Sequence, residues 1–161
     1  MSLNRILANS LINELKRYGV RDIIVCPGGR NIPLVFQMEE QEHLQTYFWY
    51  EERSAGFFAL GRSRVSGCPT AVVTTSGTAA AELLPAVMEA YYSGVPLIMI
   101  TADRPRVMRG TGAPQTADQT GLFHKHVAFE IDIEKEESPS LKGWKMNGPA
   151  HVNISFEEPL L

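Results

Sequence analysis

The sequence predicts an α/β fold: a doubly wound, mostly parallel six-stranded sheet with helices on both faces. Two observations carry this expectation. Short runs rich in β-branched and aromatic residues alternate with helical patterns. Those runs are apolar at successive positions, as strands covered on both faces must be. A third observation says where function falls. The four most unusual stretches, 26–31, 51–54, 76–78 and 102–119, each follow a predicted strand, and in such sheets the loops at the carboxyl ends of the strands build the ligand crevice.

Taken in order, Leu7, Leu11 and Leu15 with Ile12 beside them and Gly19 after them predict an amphipathic first helix with a C-cap glycine. Asp22–Val25 predicts a strand, and Asn31 reads as the N-cap of a helix over Ile32–Met38 that tolerates Pro33 in its first turn. Thr46–Tyr50 predicts the second strand, followed by a loop and helix closed by Gly67. Thr70–Thr75 predicts the third, running through Ser76-Gly77-Thr78 into an alanine-rich helix that lasts to about Tyr92. Val95–Thr101, Phe129–Ile133 and His151–Ile154 complete the strands. Between Ile133 and Ala150 a crossover helix is expected to be weak or absent, which threatens to leave one face of the sheet thinly covered.

The chain has 161 residues, 44% of them hydrophobic, enough for one domain with its own core. A formal net charge of −3 with both signs interspersed argues against a nucleic-acid surface. Cys26 and Cys68 have no zinc spacing and fit a reducing, cytoplasmic setting. The apolar run Leu97–Ile100 is far short of the roughly 20 residues of a membrane span, and Met1–Val20 carries charges throughout, unlike a signal peptide.

Each loop has a plain reading beside a functional one. Pro27-Gly28-Gly29-Arg30 can cradle an anion on backbone N–H groups or be a tight turn with a surface arginine; it is neither a G-x-G-x-x-G nor a Walker loop. Glu51 and Glu52 suit a helix start, but Gly56, Phe57, Phe58 and Leu60 follow, and a carboxylate desolvated against them becomes a proton donor near neutral pH. Ser76 reads as an N-cap. The loop 102–119 is long for a compact domain. Its Arg104, with Arg106 and Arg109 nearby, suits carboxylate recognition, and Gln115 offers both a donor and an acceptor. Asp103 is expected to brace the loop. His124 and His126 have no metal-site spacing.

Together PGGR, EERSAGFFALG, TTSGTAAAELLPAVMEAYYSGVPLIMITADRP and GAPQTADQTGLF resemble the amino-terminal domain of one family, the thiamine-diphosphate-dependent synthases of menaquinone biosynthesis (2-succinyl-5-enolpyruvyl-6-hydroxy-3-cyclohexene-1-carboxylate synthase). The likeness runs from about Asn4 to Leu161. Glu52, with Gly61 after it, is also similar to the general pyrimidine-domain pattern of thiamine-diphosphate enzymes.

The resemblance implies that Glu52 hydrogen-bonds N1′ of the aminopyrimidine ring and so favours the tautomer that exposes the cofactor's nucleophilic carbon. It implies 2-oxoglutarate and isochorismate as substrates, Arg30, Arg104 and Gln115 as substrate-site residues, and Ser76, Gly77 and Thr78 along the approach to the pyrimidine. Residues 1–161 are then a single N-terminal pyrimidine-binding domain. No sequence here is similar to the Gly-Asp-Gly…Asn motif that holds Mg²⁺ (or Mn²⁺) and the diphosphate. The central and diphosphate-binding domains are therefore expected elsewhere, and the isolated domain is expected to be inactive. The resemblance also implies a homodimer or homotetramer, for which Phe57, Phe58, Tyr91 and Tyr92 are interface or core candidates. Gly29 stands where the family usually has serine, and Asn31 where it has serine or threonine. Two other readings stay open: another thiamine-diphosphate decarboxylase or synthase with the same domain, and a non-catalytic stand-alone binding module.

Overall fold

A computed structural model describes residues 2–161; Met1, read from sequence as part of the first helix, lies outside the described residues. The predicted class is the one observed. Strands β1 (Asp22–Val25), β2 (Gln45–Phe48), β3 (Thr70–Thr74), β4 (Leu97–Asp103), β5 (Phe129–Glu134) and β6 (Ala150–Ser155) form one sheet. Their order is β2-β1-β3-β4-β6-β5 and every pairing is parallel. The helices are α1 (Leu3–Arg17), α2 (Ile32–Glu39), α3 (Glu52–Ser66), α4 (Thr78–Ala81) and α5 (Leu84–Ser93).

Strand alternation divides the core in two. Ile23, Val25, Ala71, Val73, Ile98, Ile100, Val152 and Ile154 face α1 and α2, where Leu7, Leu11, Ile12 and Leu15 bury the expected stripe. Ile24, Val72, Leu97 and Met99 face α3 and α5, packing on Ala55, Ala59, Leu83, Val87 and Ala90. Small residues let those two helices approach: a Cβ on Gly56 would lie 2.9 Å from that of Ala86. The predicted glycine stops also hold, with Gly19 at φ +78° after α1 and Gly67 at φ +69° closing α3.

The segment between β5 and β6 has no helix, as expected, yet the sheet face there is covered. Leu141 and Trp144 are buried in the α1 side of the core. Tyr18 donates its hydroxyl to Leu141 O at 2.6 Å, and Glu14 accepts from Leu141 N at 2.8 Å. Two anchored apolar side chains do the work of a helix, so the thin face expected from the sequence does not occur.

The single alanine-rich helix expected from Thr78 to Tyr92 is two. Pro85 has no N–H to continue the ladder, so α4 ends at Ala81, Leu83 N turns back to Ala80 O at 3.3 Å, and α5 starts afresh at Leu84. Strand β2 also stops earlier than expected. Trp49 still bonds Val25 O at 2.9 Å, but Tyr50 is fully exposed at the sheet edge. Among the described residues, no helix is long and apolar enough to cross a membrane.

Candidate active site

The strand order reverses between β1 and β3, so the loops leaving them diverge and open a crevice at the carboxyl edge of the sheet. Three of the four singled-out loops are joined atom to atom there. Thr75 Oγ1 accepts from Arg30 N at 3.3 Å and abuts Gly28, linking the first loop to the third. Gln115 Nε2 donates to Ser76 O at 3.0 Å, and Gly77 N donates to Gln119 Oε1 at 2.8 Å, linking the third to the fourth. The fourth closes on itself through Arg104 Nε and Pro114 O at 2.9 Å.

The acid pair splits into two roles. Glu51 is the N-cap of α3 and accepts from Arg53 N at 2.9 Å and Ser54 N at 2.8 Å. Its bonds with Ser54 and Arg53 hold its carboxyl below the usual range. Glu52 opens α3, is half-buried, and its carboxylate has no hydrogen-bond or ion-pair partner among the described residues. Phe57, expected from sequence as part of an apolar wall, is 45% exposed. Five residues along a helix put it well round from Glu52, and Phe58 instead stacks on Trp49 at 4.6 Å. The charge of Glu52 bears on the first loop. The buried Cys26 thiol is pushed up to about 12, first by desolvation and then by the charges of Glu52 and Glu51.

Arg30 is buried. Its guanidinium donates to Phe156 O at 3.0 Å and pairs with Glu158, 3.1 Å away, whose own side chain is 68% exposed. Arg104 and Gln115 lie on the surface of the long loop, Gln115 at φ +62°. Asp103 braces the loop as expected, accepting from Arg104 N at 2.8 Å and pairing with Arg109 at 3.1 Å.

Two expected caps form no capping bond, although Asn31 does hold the N-cap position of α2. Asn31 makes no bond to the start of α2. Its side chain accepts from Gly28 N at 3.0 Å and donates to Cys26 O at 2.9 Å, which ties up the first loop instead. Ser76 does not cap either: the residue before α4 is Gly77, at φ +88°, ψ −141°, which only glycine adopts readily.

Beneath the loops lies a polar layer that the sequence did not reveal. Register sets Thr74 beside Thr101, Thr101 beside Asn153, and Asn153 beside Asp132, a row across four strands. Asn153 Nδ2 donates to Asp103 at 3.0 Å and Asp132 at 2.8 Å, and its Oδ1 accepts from Thr101 and Gln119, each at 2.8 Å. Thr101 also meets His151 Nε2 at 2.8 Å, while His151 Nδ1 lies 2.9 Å from Glu130. Arg106 and Arg109 pair with Asp132 at 2.9 and 2.7 Å. They serve this layer, not the crevice, so of the three neighbouring arginines Arg104 alone is free of an ion pair among the described residues. Burial would raise the Asp132 carboxyl, but Arg109, Asn153 and Arg106 together hold it down at about 2.

No group of three or more His, Cys, Asp or Glu able to hold a metal occurs among the described residues.

The domain is all-parallel α/β, with short-side-chain loops at the carboxyl edge of its sheet and a Glu52 carboxylate that has no partner among the described residues, an edge at which such sheets bind ligands. Residues 5–122 match the family described as thiamine pyrophosphate enzyme, N-terminal TPP binding domain, and the chain belongs to that family. Among curated proteins it is 52% identical, over 98% of its length, to the 2-succinyl-5-enolpyruvyl-6-hydroxy-3-cyclohexene-1-carboxylate synthase of Bdellovibrio bacteriovorus. Proteins of the same name from Akkermansia muciniphila and Chloroflexus aurantiacus are 47% and 42% identical over 93% and 94% of the chain. The chain spans 30%, 28% and 28% of the lengths of these three relatives.

Proposed function

We propose that this chain is the pyrimidine-binding domain of a thiamine-diphosphate-dependent synthase that decarboxylates 2-oxoglutarate and joins the remaining four-carbon unit to isochorismate. The observation that carries the reading is Glu52: a half-buried carboxylate at the rim of the crevice with no partner among the described residues. Domains that supply the rest of the enzyme are expected in the same polypeptide, and the functional assembly is a cytoplasmic homodimer or homotetramer.

The residues present fit the aminopyrimidine half of the cofactor. Glu52 would share a proton with N1′ of that ring, and Ser76, Gly77 and Thr78 offer short side chains along its approach. Among the described residues no group of carboxylates is gathered for the diphosphate's cation, and Mg²⁺ or Mn²⁺ would be held by another domain. Thiamine diphosphate, when bound, supplies the electron sink for decarboxylation.

The substrates' carboxylates call for cations. Arg104 keeps its terminal nitrogens for a bidentate contact while Pro114 O steadies its Nε. Arg30 reaches a substrate carboxylate by exchanging it for Glu158, which is exposed enough to leave. Gln115 spends its amide N–H on Ser76 O and keeps Oε1 as an acceptor toward a substrate hydroxyl.

The test is turnover of the full-length protein carrying this domain, with 2-oxoglutarate and isochorismate. Glu52→Gln is expected to lower it by about 10²-fold or more. Unchanged turnover overturns the role of Glu52. A clear preference for pyruvate over 2-oxoglutarate moves the protein to a different synthase of the same family.

A further inference from the structure

Ser76 C=O and Gly77 N–H are the two ends of one peptide group, and each end is held by a different glutamine of the fourth loop. Gln115 Nε2 donates to the carbonyl at 3.0 Å, and Gln119 Oε1 accepts from the N–H at 2.8 Å. We propose that Gln119 is a positioning residue that, together with Gln115, clamps the Ser76–Gly77 peptide plane and so sets the edge that Ser76, Gly77 and Thr78 present to the cofactor. Its consequence for the cofactor rests on the function proposed above; the clamp itself does not.

A clamp is needed at this point. A peptide group next to glycine turns most easily, because glycine accepts φ values on either side of zero. Gly77 sits at φ +88°, ψ −141°, immediately before a helix of only four residues that cannot fix its own start. The fit against the fourth loop is close: a Cβ on Gly77 would lie 3.0 Å from Gln115 Cγ and 3.3 Å from its backbone oxygen. Gln115 itself adopts φ +62°, an uncommon conformation for a residue with a side chain. The two hydrogen bonds and the close packing offset that strain.

Gln119 can face only one way. Asp103 and Asp132 accept from Asn153 Nδ2, so Asn153 must turn Oδ1 toward Gln119. Gln119 must then offer Nε2 to Asn153, at 2.8 Å, and Oε1 to Gly77. The polarity of two carboxylates, paired with Arg109 and Arg106, is passed through two amides to one backbone N–H. Gln119 is completely buried, and a buried amide pair that is fully satisfied is rigid. The loop after β3 is thereby located against β4, β5 and β6 as well as against its own strand.

The test removes the acceptor with Gln119→Leu and uses Leu141→Ala, on the opposite sheet face, as a control for general loss of stability. In native-state amide exchange on this chain, protection of Gly77 relative to Ile98 should fall at least about tenfold in Gln119→Leu, the scale of one lost hydrogen bond, and stay constant in Leu141→Ala. In the full-length protein, calorimetric Kd for thiamine diphosphate should weaken about tenfold in the first variant and hold in the second. Unchanged Gly77 protection overturns the clamp, and so does equal weakening of cofactor binding in both variants. If Gln119→Leu does not fold, the wild-type chain decides: rapid exchange of the Gly77 amide overturns the proposal, and protection comparable to the strand amides supports it. Should wild-type full-length protein bind no thiamine diphosphate, the function proposed above fails while the exchange result still judges the clamp.

Discussion

Gly28 and Thr75 are in such close contact that a Cβ added at Gly28 would lie 2.5 Å from Thr75 Cβ. Because Gly28 has extended dihedrals, φ −162° and ψ 170°, which any residue adopts, the restriction is purely steric. Thr75 is β-branched and cannot swing its Cβ aside. Gly28→Ala should therefore destabilise the chain by about 1–3 kcal/mol, the usual cost of overpacking, and loosen the first loop from the third. Gly29 is the contrast, with nothing within 4 Å of an added Cβ. Gly29→Ser should leave the stability within about 0.5 kcal/mol of wild type. A denaturant melt of the two variants separates these expectations.

The two adjacent glutamates should separate in the same way. Glu51 caps α3 through Arg53 N and Ser54 N, so Glu51→Ala is expected to lower the melting temperature of the chain while full-length turnover, assayed well below that temperature, stays within a few-fold. Glu52 makes no such bonds, so Glu52→Gln should leave the melting temperature near wild type and lower turnover by about 10²-fold or more. If Glu51→Ala abolishes turnover in a folded protein, the acid has been assigned to the wrong residue.

The contrast between legible and illegible parts follows from how far each depends on long-range register. Strand and helix positions were readable because burial imposes local periodicity: the stripe of Leu7, Leu11 and Leu15 and the run Leu97–Ile100 each state their environment within a few residues. The crevice was readable because strand ends are. Pro85 stated the break between α4 and α5, but the run of alanines around it masked the signal. The roles of Asn31, Ser76 and Gln119 were not readable, since each is decided by a partner that only the folded chain supplies. Gln119 looks like any polar loop residue, and only its complete burial beside Asn153 and Gly77 singles it out. Likewise Arg104, Arg106 and Arg109 are equivalent in sequence, and Asp132, more than twenty residues on, claims two of them.

Asp132 should give the fold a specific acid sensitivity. Its carboxyl is held at about 2, against an ordinary 3.8. A depressed folded value stabilises above the unfolded value and is lost as pH falls through the folded one, so the contribution disappears between about pH 4 and pH 2. With its side chain only 16% exposed, the shift corresponds to about 2 kcal/mol. Urea midpoints of wild type should therefore drop across this window. Asp132→Asn should be less stable at pH 6 and show a flatter profile from pH 4 to 2. Equal slopes for the two proteins would exclude Asp132 as the source.

The Cys26 thiol provides a probe of the crevice that needs no cofactor. It is buried, and desolvation reinforced by the charges of Glu52 and Glu51 raises it from 9.0 to about 12. At pH 8 iodoacetamide should modify the partly exposed Cys68 and spare Cys26, because the thiolate is the reactive form and is all but absent. Removing the charge with Glu52→Gln lowers the thiol's value, so in a Cys68→Ser background Cys26 should be labelled faster at pH 9.5 than with Glu52 intact. Glu51→Gln should have the smaller effect, since Glu51 contributes less. The linkage has the opposite sense to that of Asp132. A folded value raised above the unfolded one stabilises at low pH and is lost as pH rises, so wild type should lose stability above about pH 9 more steeply than Cys26→Ala. Labelling of Cys26 that ignores the charge at position 52 would mean that the first loop and the start of α3 do not face each other, and the crevice would lose its acid.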